Sequence, residues 1–334
     1  MYGDAELALR ARALLGERHQ VAAAAAVSAA GIRVCSWGAS LDADYEIGSI
    51  SKGITGLLYA EGLRRGEIDE ATTLSECLPV LMGSAVRDVP LAAAAIHRSG
   101  LRTLPSSQSM LRTTVGVWRH GRNPYGGTCA ELLEVARHEQ PGNPTPRYSN
   151  LAFQLLGHAV AAVADTDYAG LVRERVARPL GLTNLYTPTT LMALRTTALT
   201  GTTRSGRPRP PWLGEALAPA GGIRATVSDM ATLISALIDG TAPGIHALEP
   251  RAPFGRRSRI GAAWITSEYN NRHITWHNGG TGGFRSWAGI DRDAGTGVVV
   301  LTATHRSVDH AGFTLLEQIT DDGNGTASRE PATT

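Results

Sequence analysis

The sequence predicts an α+β fold in which an antiparallel β-sheet, built from N- and C-terminal segments and flanked by helices, carries an inserted, mostly helical domain. Two observations lead to this fold class. Strand-like segments occur near the N-terminus and again after residue 258, which suggests one sheet made from both ends of the chain. Between about residues 70 and 200 the pattern is helical and rich in loops.

The N-terminal part predicts a helix, two strands and a second helix. Residues 4–18 carry apolar side chains at helical spacing. A strand begins at Val21, and Gly31 provides the turn into the next strand. Gly48 then interrupts the chain, and the apolar residues that follow mark one face of a helix that runs to about Arg65.

The middle and the C-terminal part differ in periodicity. The clearest helices of the middle read LAFQLLGHAVAAVA and YAGLVRERVARPLGL. A further helix, TVSDMATLISALIDG, is predicted to be capped by Ser228 or Asp229 and to end at Gly240. Four strands follow, RIGAAWIT, RHITWH, FRSWAGI and TGVVVLTA, before a closing helix, DHAGFTLLEQI.

These elements divide the chain into two domains and a tail. Residues 1–69 and 205–320 would form the sheet domain, and residues 70–204 the helical domain, with one cleft shared between them. The tail, residues 321–334, is polar and has too few apolar side chains to pack, so we expect no structure there.

Composition excludes several classes of function. The net charge is +2 and the arginines are spread along the chain, so no nucleic-acid partner is expected. No segment is apolar over a membrane-spanning length and no signal peptide is recognisable, so we expect no membrane partner and a cytoplasmic location. The three cysteines and ten histidines lack ligand-like spacing, so neither a disulfide framework nor a metal or other cofactor is expected.

One cationic residue differs from all the others. Of the 32 lysine and arginine residues, Lys52 is the only lysine, and it lies in the segment EIGSISKG. Arginine stays protonated at any pH that a cell reaches, whereas a desolvated lysine can lose its proton and act as a base. Ser49 precedes it by three positions, so both side chains fall on one face of the predicted helix. The alternative is that this single lysine has no chemical role.

Ser49 and Lys52 suit nucleophilic catalysis. A serine hydroxyl becomes a good nucleophile once a neighbouring base takes its proton. Ser49 would also lie at a helix N-terminus, where free N–H groups favour a developing negative charge. A P-loop is excluded because Gly53 follows the lysine, and neither a nucleophile elbow nor an HExxH motif occurs. A Schiff-base lysine for pyridoxal phosphate is an alternative. It is disfavoured because such lysines normally follow a long cofactor-binding domain, whereas only about fifty residues precede Lys52.

Two further motifs complete a recognisable set. PRYSNLAFQLLG contains Tyr148 and Asn150, and TWHNGGTGGFRSW contains His277. The order Ser-x-x-Lys, Tyr-x-Asn and glycine-rich strand resembles the serine β-lactamase and penicillin-binding protein superfamily, most closely the class C β-lactamase-like esterases and transacylases. The resemblance covers about residues 5–318, where phrases such as AAIHRSGL, RPLGLTNLY and PAGGIRATVSDMA follow the family's order.

The resemblance implies a role for each of these residues. Ser49 would be the acylated nucleophile, and Lys52 and Tyr148 would share the general-base and general-acid work. Asn150 would hold the substrate and the lysine by hydrogen bonds. The backbone N–H groups of Ser49 and Gly280 would form the oxyanion hole. A packing role for Tyr148 at the start of a helix is the alternative.

The third motif departs from the family's Lys-Thr-Gly. This chain has His277, Asn278 and Gly279 there, and it has no second lysine to offer. Because an unperturbed histidine is mostly uncharged at neutral pH, His277 gives a penicillin-like or D-alanyl-D-alanine carboxylate no fixed cation. A histidine here resembles the esterase branch, in which it lines the substrate site with Gly279 and Gly280. Alternatively, His277 only shapes the cleft. The phrases at His97 and Pro219 are expected to be structural.

These features predict a serine hydrolase or acyltransferase that forms an acyl-Ser49 intermediate from a small-molecule ester or amide. Water, an amine or an alcohol would then accept the acyl group. The arginine- and alanine-rich composition suggests a genome of high GC content. By association with such genomes, we expect an esterase or transacylase of specialised metabolism, such as antibiotic biosynthesis. A β-lactamase or D-alanyl-D-alanine carboxypeptidase, and a non-catalytic ligand-binding protein of the same fold, are the alternatives. The oligomeric state is not predicted.

Overall fold

A computed structural model describes residues 1–103, 123 and 127–327, with side chains up to residue 323. The described residues form a nine-stranded antiparallel sheet with helices on both faces, and a separate two-stranded ribbon. The predicted fold class, a large antiparallel sheet flanked by helices, is confirmed. The division into two domains at residues 69, 204 and 320 stays a prediction.

The sheet joins the two ends of the chain. Strand β2, from the N-terminal segment, pairs with β11, from the C-terminal segment, and the order across the sheet is β1-β3-β2-β11-β10-β9-β8-β7-β6. The ribbon consists of β4 and β5. The strands are β1 (Tyr2–Gly3), β2 (Ala22–Ser28), β3 (Gly31–Trp37), β4 (Tyr45–Glu46), β5 (Arg224–Ala225), β6 (Ala252–Pro253), β7 (Ser258–Ile260), β8 (Ile265–Tyr269), β9 (Arg272–Gly280), β10 (Arg285–Asp291) and β11 (Thr296–Thr302).

The helices lie on both faces of this sheet and between its two halves in sequence. They are α1 (Ala5–Leu15), α2 (Ile50–Arg64), α3 (Leu74–Cys77), α4 (Leu91–Ala95), α5 (Cys129–Arg137), α6 (Asn150–Val163), α7 (Tyr168–Val172), α8 (Ala218–Gly221), α9 (Val227–Ile238) and α10 (Asp309–Ala327). A single π-helical turn, Arg173–Ala177, continues α7, so the helix predicted from YAGLVRERVARPLGL is regular only in its first part.

Two apolar clusters, one on each face of the sheet, form the core. Successive residues of a strand point to opposite faces. Ala22 and Ala24 of β2 therefore pack with α1 and α10, whereas Ala23 and Ala25 pack with α2 and α9. Alanine has a low intrinsic preference for strands, so packing on both faces stabilises this run as a strand.

The segment RIGAAWIT does not form the single strand that its alternation predicts. Strand β7 ends at Ile260 and β8 begins at Ile265. Between them the backbone bonds elsewhere: the N–H of Ala262 donates to Ala247 O, and that of Ala263 donates to Ala95 O. Ala263 has a φ of 68°, which a regular strand does not accommodate. These bonds turn the chain, and alternation alone does not reveal them.

Two local predictions are also corrected at element ends, and two short strands were not predicted. Helix α9 is capped by Thr226, whose side chain accepts from Asp229 N, rather than by Ser228 or Asp229. Helix α10 continues to Ala327, into the tail for which no structure was expected, and the rest of that tail lies outside the described residues. The short edge strands β1 and β6 carry no signal that the sequence analysis recognised.

A buried ionic cluster holds the ribbon together just before Ser49. Arg224 of β5 is completely buried, and its guanidinium donates to Asp44 Oδ1 and, at 3.2 Å, to Glu46 Oε1 of β4. A third nitrogen, Nη2, donates to the carbonyl oxygens of Asp44 and Leu199, each at 3.0 Å. Burial raises the pKa of Glu46, an effect that Arg224 opposes. The cluster therefore fixes the segment that leads into the predicted catalytic helix.

We predict that Arg224→Leu lowers the free energy of unfolding by about 3–5 kcal/mol, because it leaves buried carboxylates without their cation. Arg64→Ala is the matched control, since Arg64 pairs with Glu61 from an exposed position and its loss costs little. Urea denaturation of both variants measures the effect. Equal stabilities for the two variants would contradict a structural role for this cluster.

Candidate active site

Ser49 lies at the tip of a tight turn, immediately before α2. It occupies the N-cap position, but its side chain makes no capping hydrogen bond, and the residue is half-buried. The first N–H groups of α2 already donate to the preceding turn: those of Ile50 and Ser51 donate to Ile47 O and Gly48 O. The hydroxyl therefore gains from the partial positive charge of the helix dipole at this end rather than from free N–H groups.

Gly48 allows this turn to pack directly against strand β9. Its φ is 53°, and a Cβ at this position would lie 2.4 Å from the backbone N of Gly280. A Cβ on Gly279 would lie 2.0 Å from Ile47 O, and Ser286 Oγ donates to the same oxygen at 2.7 Å. The backbone of Gly280 is thus brought against the turn that carries Ser49, as a two-donor oxyanion hole requires.

Lys52 lies one turn into α2 and has no exposed surface. Its Nζ is 3.2 Å from Ser49 Oγ and donates to Ala220 O at 2.5 Å. No carboxylate of the described residues forms an ion pair with it. Burial lowers the pKa of Lys52 well below its usual value of 10.5. The amine is therefore easily deprotonated and lies within reach of the hydroxyl proton.

The chain segment around α8 anchors the polar face of α2. Besides the bond from Lys52 to Ala220, Thr55 Oγ1 donates to Pro219 O at 2.7 Å, and the N–H of Ile223 donates to Ser51 Oγ at 3.2 Å. The phrase PAGGI, which was expected to be structural, also supplies the carbonyl oxygen that accepts from Lys52. Its regular place among the family phrases is the sequence feature that could have indicated a role in the site.

Tyr148 lies over the lysine. Lys52 Nζ is 4.9 Å from the centroid of the Tyr148 ring, and the ring is half-buried. The carbonyl of Tyr148 accepts from Thr103 Oγ1 at 2.6 Å. Ser149 caps α6 by accepting from Ala152 N, and the buried Asn150 begins that helix. The predicted Tyr-x-Asn motif is thus held at the N-terminus of α6, with its phenol beside Lys52.

His277 closes the same group of side chains. Its ring centroid is 6.5 Å from that of Tyr148, and the side chain is buried on β9. Its Nδ1 donates to Asn278 O at 2.6 Å, so the neutral ring leaves Nε2 without a hydrogen, and this atom has no partner among the described residues. Burial, and secondarily Lys52, lower the pKa of His277 to about 4. The histidine is therefore neutral at pH 7 and supplies no cation.

The structure brings the predicted residues together around Lys52. The amine of Lys52 lies close to Ser49 Oγ and to the Tyr148 ring, and the Tyr148 ring in turn lies near His277. The turn before Ser49 packs against Gly279 and Gly280. Asn150 lies two residues after Tyr148 at the start of α6. Within the described part of the chain, no group of three or more potential metal ligands occurs.

Comparison with known proteins identifies the family. The sequence model of the family described as Beta-lactamase matches residues 8–318, nearly the whole chain. The chain belongs to the Beta-lactamase family. The motifs predicted membership of the superfamily of serine β-lactamases and penicillin-binding proteins, and this prediction is confirmed.

Individual relatives of this Beta-lactamase family chain are distant. A beta-lactamase-like 1 protein of Homo sapiens is 30% identical over 210 residues, which is 59% of this chain and 39% of the human protein. The unguisins hydrolase of Aspergillus campestris is 26% identical over 246 residues, 64% of this chain and 45% of that protein. The chain thus spans less than half the length of these two curated relatives.

A solved structure shows the same fold. The class C beta lactamase from Rhodobacter sphaeroides superposes with a TM-score of 0.78 at 21% identity, covering 94% of this chain and 99% of that chain. Among the described residues of this family member, no helix combines the length and apolar character needed to cross a membrane.

We predict that Lys52→Met changes how stability depends on pH. In the unfolded chain Lys52 is protonated below pH 10.5, whereas the buried native amine is neutral down to its lowered pKa, so the unfolded state binds one more proton in this window. Wild-type stability should therefore rise with pH relative to the variant, by up to about 1.4 kcal/mol per pH unit. Urea denaturation at pH 7, 8 and 9 measures it, and a pH-independent difference would show that the native amine is charged.

Proposed function

We propose that this protein is a serine hydrolase or acyltransferase that forms an acyl-Ser49 intermediate from a small ester or amide. The observation that carries the proposal is the 3.2 Å distance between Ser49 Oγ and the amine of Lys52, which is fully buried and forms no ion pair among the described residues. Desolvation lowers the pKa of that amine and so favours its action as a base, and the half-exposed hydroxyl stays accessible to a substrate.

Acylation then follows from the placement of the groups. Ser49 Oγ attacks the carbonyl carbon of the substrate while its proton moves to Lys52, with Tyr148 passing a proton to the leaving alcohol or amine. The N–H groups of Ser49 and Gly280 stabilise the oxyanion, and each such donor is worth about 3–4 kcal/mol in the transition state. Asn150 holds the substrate. After acylation Lys52 returns the proton to Tyr148. In deacylation the acceptor attacks the acyl carbon and gives its proton to the Tyr148–Lys52 pair, and Ser49 Oγ leaves and regains a proton from the same pair.

The third motif favours neutral acyl donors. His277 stands where the family's third motif has a lysine. Because His277 is buried and neutral, a substrate carboxylate would meet no cation from this motif. Esters and amides without a carboxylate next to the scissile bond are therefore the proposed substrates. Water, an amine or an alcohol is the proposed acceptor. The likeness to a protein named unguisins hydrolase agrees with a hydrolytic reaction. A role in specialised metabolism stays a prediction. A cytoplasmic location stays a prediction.

Two alternatives remain open. The fold shared with the Rhodobacter sphaeroides class C beta lactamase favours a β-lactamase, or equally a D-alanyl-D-alanine carboxypeptidase, as the second candidate. The third candidate is a non-catalytic ligand-binding protein of the same fold. In that case the buried lysine would be retained without forming an acyl-enzyme.

We predict that intact-mass spectrometry of the protein, exposed to a panel of p-nitrophenyl acyl esters and neutral amides, detects one added acyl group on Ser49. Ser49→Ala should show no adduct, and Lys52→Arg should lose turnover at least about 100-fold while keeping its fold, because arginine cannot be deprotonated. Ser228→Ala, at an exposed position of α9, is the control serine variant, and acylation at Ser49 should persist in it.

The same panel should separate the candidates by substrate class. We predict rapid hydrolysis of neutral p-nitrophenyl esters and slow or no turnover of a chromogenic cephalosporin, because His277 offers its carboxylate no charge. Efficient cephalosporin turnover would favour the β-lactamase instead. Failure of a fluorophosphonate probe to label folded protein at Ser49 would favour the non-catalytic candidate.

A further inference from the structure

The imidazole of His97 is a buried group for which the proposed mechanism has no use. His97 follows α4, is 1% exposed, and has a left-handed backbone with a φ of 57°. Asparagine, aspartate and histidine adopt this conformation more often than other residues with a side chain. The backbone therefore accommodates histidine, and what distinguishes it from asparagine at this turn is a buried imidazole ring.

His97 bonds to the peptide units on both sides of Tyr148. Its carbonyl accepts from the backbone N–H of Arg147 at 2.8 Å, and its ring Nδ1 accepts from the backbone N–H of Ser149 at 3.2 Å. One residue thus fixes the backbone immediately before and immediately after the candidate general acid. The position of the phenol along the cleft follows from these two bonds.

The ring of His97 also contacts the Tyr148 side chain. The two ring centroids are 4.5 Å apart, and Phe153 and Phe254 pack against the imidazole at 4.7 and 5.9 Å. Lys52 Nζ approaches the same phenol at 4.9 Å from its centroid. The Tyr148 ring is therefore confined between groups that are themselves buried, which restricts its rotation toward or away from Lys52.

The hydrogen bonds fix the chemical state of His97. Because the Ser149 N–H is a donor, Nδ1 must be without a hydrogen, and the neutral ring carries its proton on Nε2. Nε2 has no partner among the described residues. Burial, with smaller contributions from Lys52 and His277, lowers the pKa of His97 well below 6.5. His97 therefore acts as a neutral acceptor and exchanges no proton.

We infer that His97 is a positioning residue for Tyr148: through its carbonyl, its Nδ1 and its ring, it holds the phenol beside Lys52. This inference rests on the proposed function for the catalytic importance of Tyr148, but the placement itself is independent of it. A displacement of about 1 Å at a catalytic group can cost about 100-fold in rate, so loss of this support should reduce kcat.

The variants His97→Asn and His97→Leu test this inference. Asparagine accepts the left-handed backbone and places an amide oxygen near the position of Nδ1, whereas leucine has a similar volume and no acceptor. We expect kcat for a p-nitrophenyl ester to fall on the order of 10- to 100-fold in His97→Leu, with KM near wild type, and by clearly less in His97→Asn, which keeps the acceptor but loses the ring contact. If the leucine variant does not fold, His97→Gly replaces it, because glycine removes the ring without backbone strain.

A second readout is independent of catalysis. The protein contains eight tyrosines, so ¹⁹F NMR of protein labelled with 3-fluorotyrosine gives a small set of resonances, and Tyr148→Phe assigns that of Tyr148. Loss of the imidazole ring should shift this resonance in both variants. The line should broaden or split in His97→Leu, because the phenol loses its fixed position, and stay one sharp line in His97→Asn. An unchanged resonance and wild-type kcat in the leucine variant would overturn the inference, as would equal impairment of both variants. A wild-type protein without acylation, but with the expected ¹⁹F pattern, would overturn the proposed function alone.

Discussion

Desolvation of a single amine is the constraint on which the site depends. An ammonium group without a carboxylate partner is costly to bury, so the native protein favours the neutral form of Lys52. That neutral form is the one that can take a proton from Ser49. Among the described residues no carboxylate pairs with Nζ, and its hydrogen-bond partners include a serine hydroxyl and the carbonyl of Ala220, which are uncharged.

The surroundings of the amine are ordered by backbone groups as much as by side chains. The α8 segment offers carbonyl oxygens to Lys52 and Thr55, and strand β5 of the ribbon begins at Arg224, shortly after this helix. Because Ile47 N donates to Ile223 O, the turn before Ser49 is fixed to the same segment. Ser49, Lys52 and the carbonyl of Ala220 that accepts from Lys52 are therefore parts of one hydrogen-bonded unit.

Much of this could be predicted from the sequence, because the relevant signals are local. The strands at both ends, helix α2 and the Ser49–Lys52 spacing follow from periodicity and from one exceptional lysine. The break between β7 and β8 could not be predicted, because it depends on bonds from Ala262 and Ala263 to residues far away in the chain. The contacts of His97 and Ala220 with the site could not be predicted for the same reason. Ala220 acts through its backbone carbonyl, which every residue has, and His97 bonds to Ser149, which is about fifty positions away in the chain.

The contact between Gly48 and Gly280 places a limit on how this site can diversify. Both candidate oxyanion donors belong to the main chain, and at Gly48 a side chain would collide with the neighbouring strand. Amino-acid replacement can therefore alter the walls of the cleft without altering the two groups that receive the oxyanion. Over evolutionary time such a scaffold can therefore come to accept a different acyl group while the arrangement of its candidate oxyanion donors stays the same.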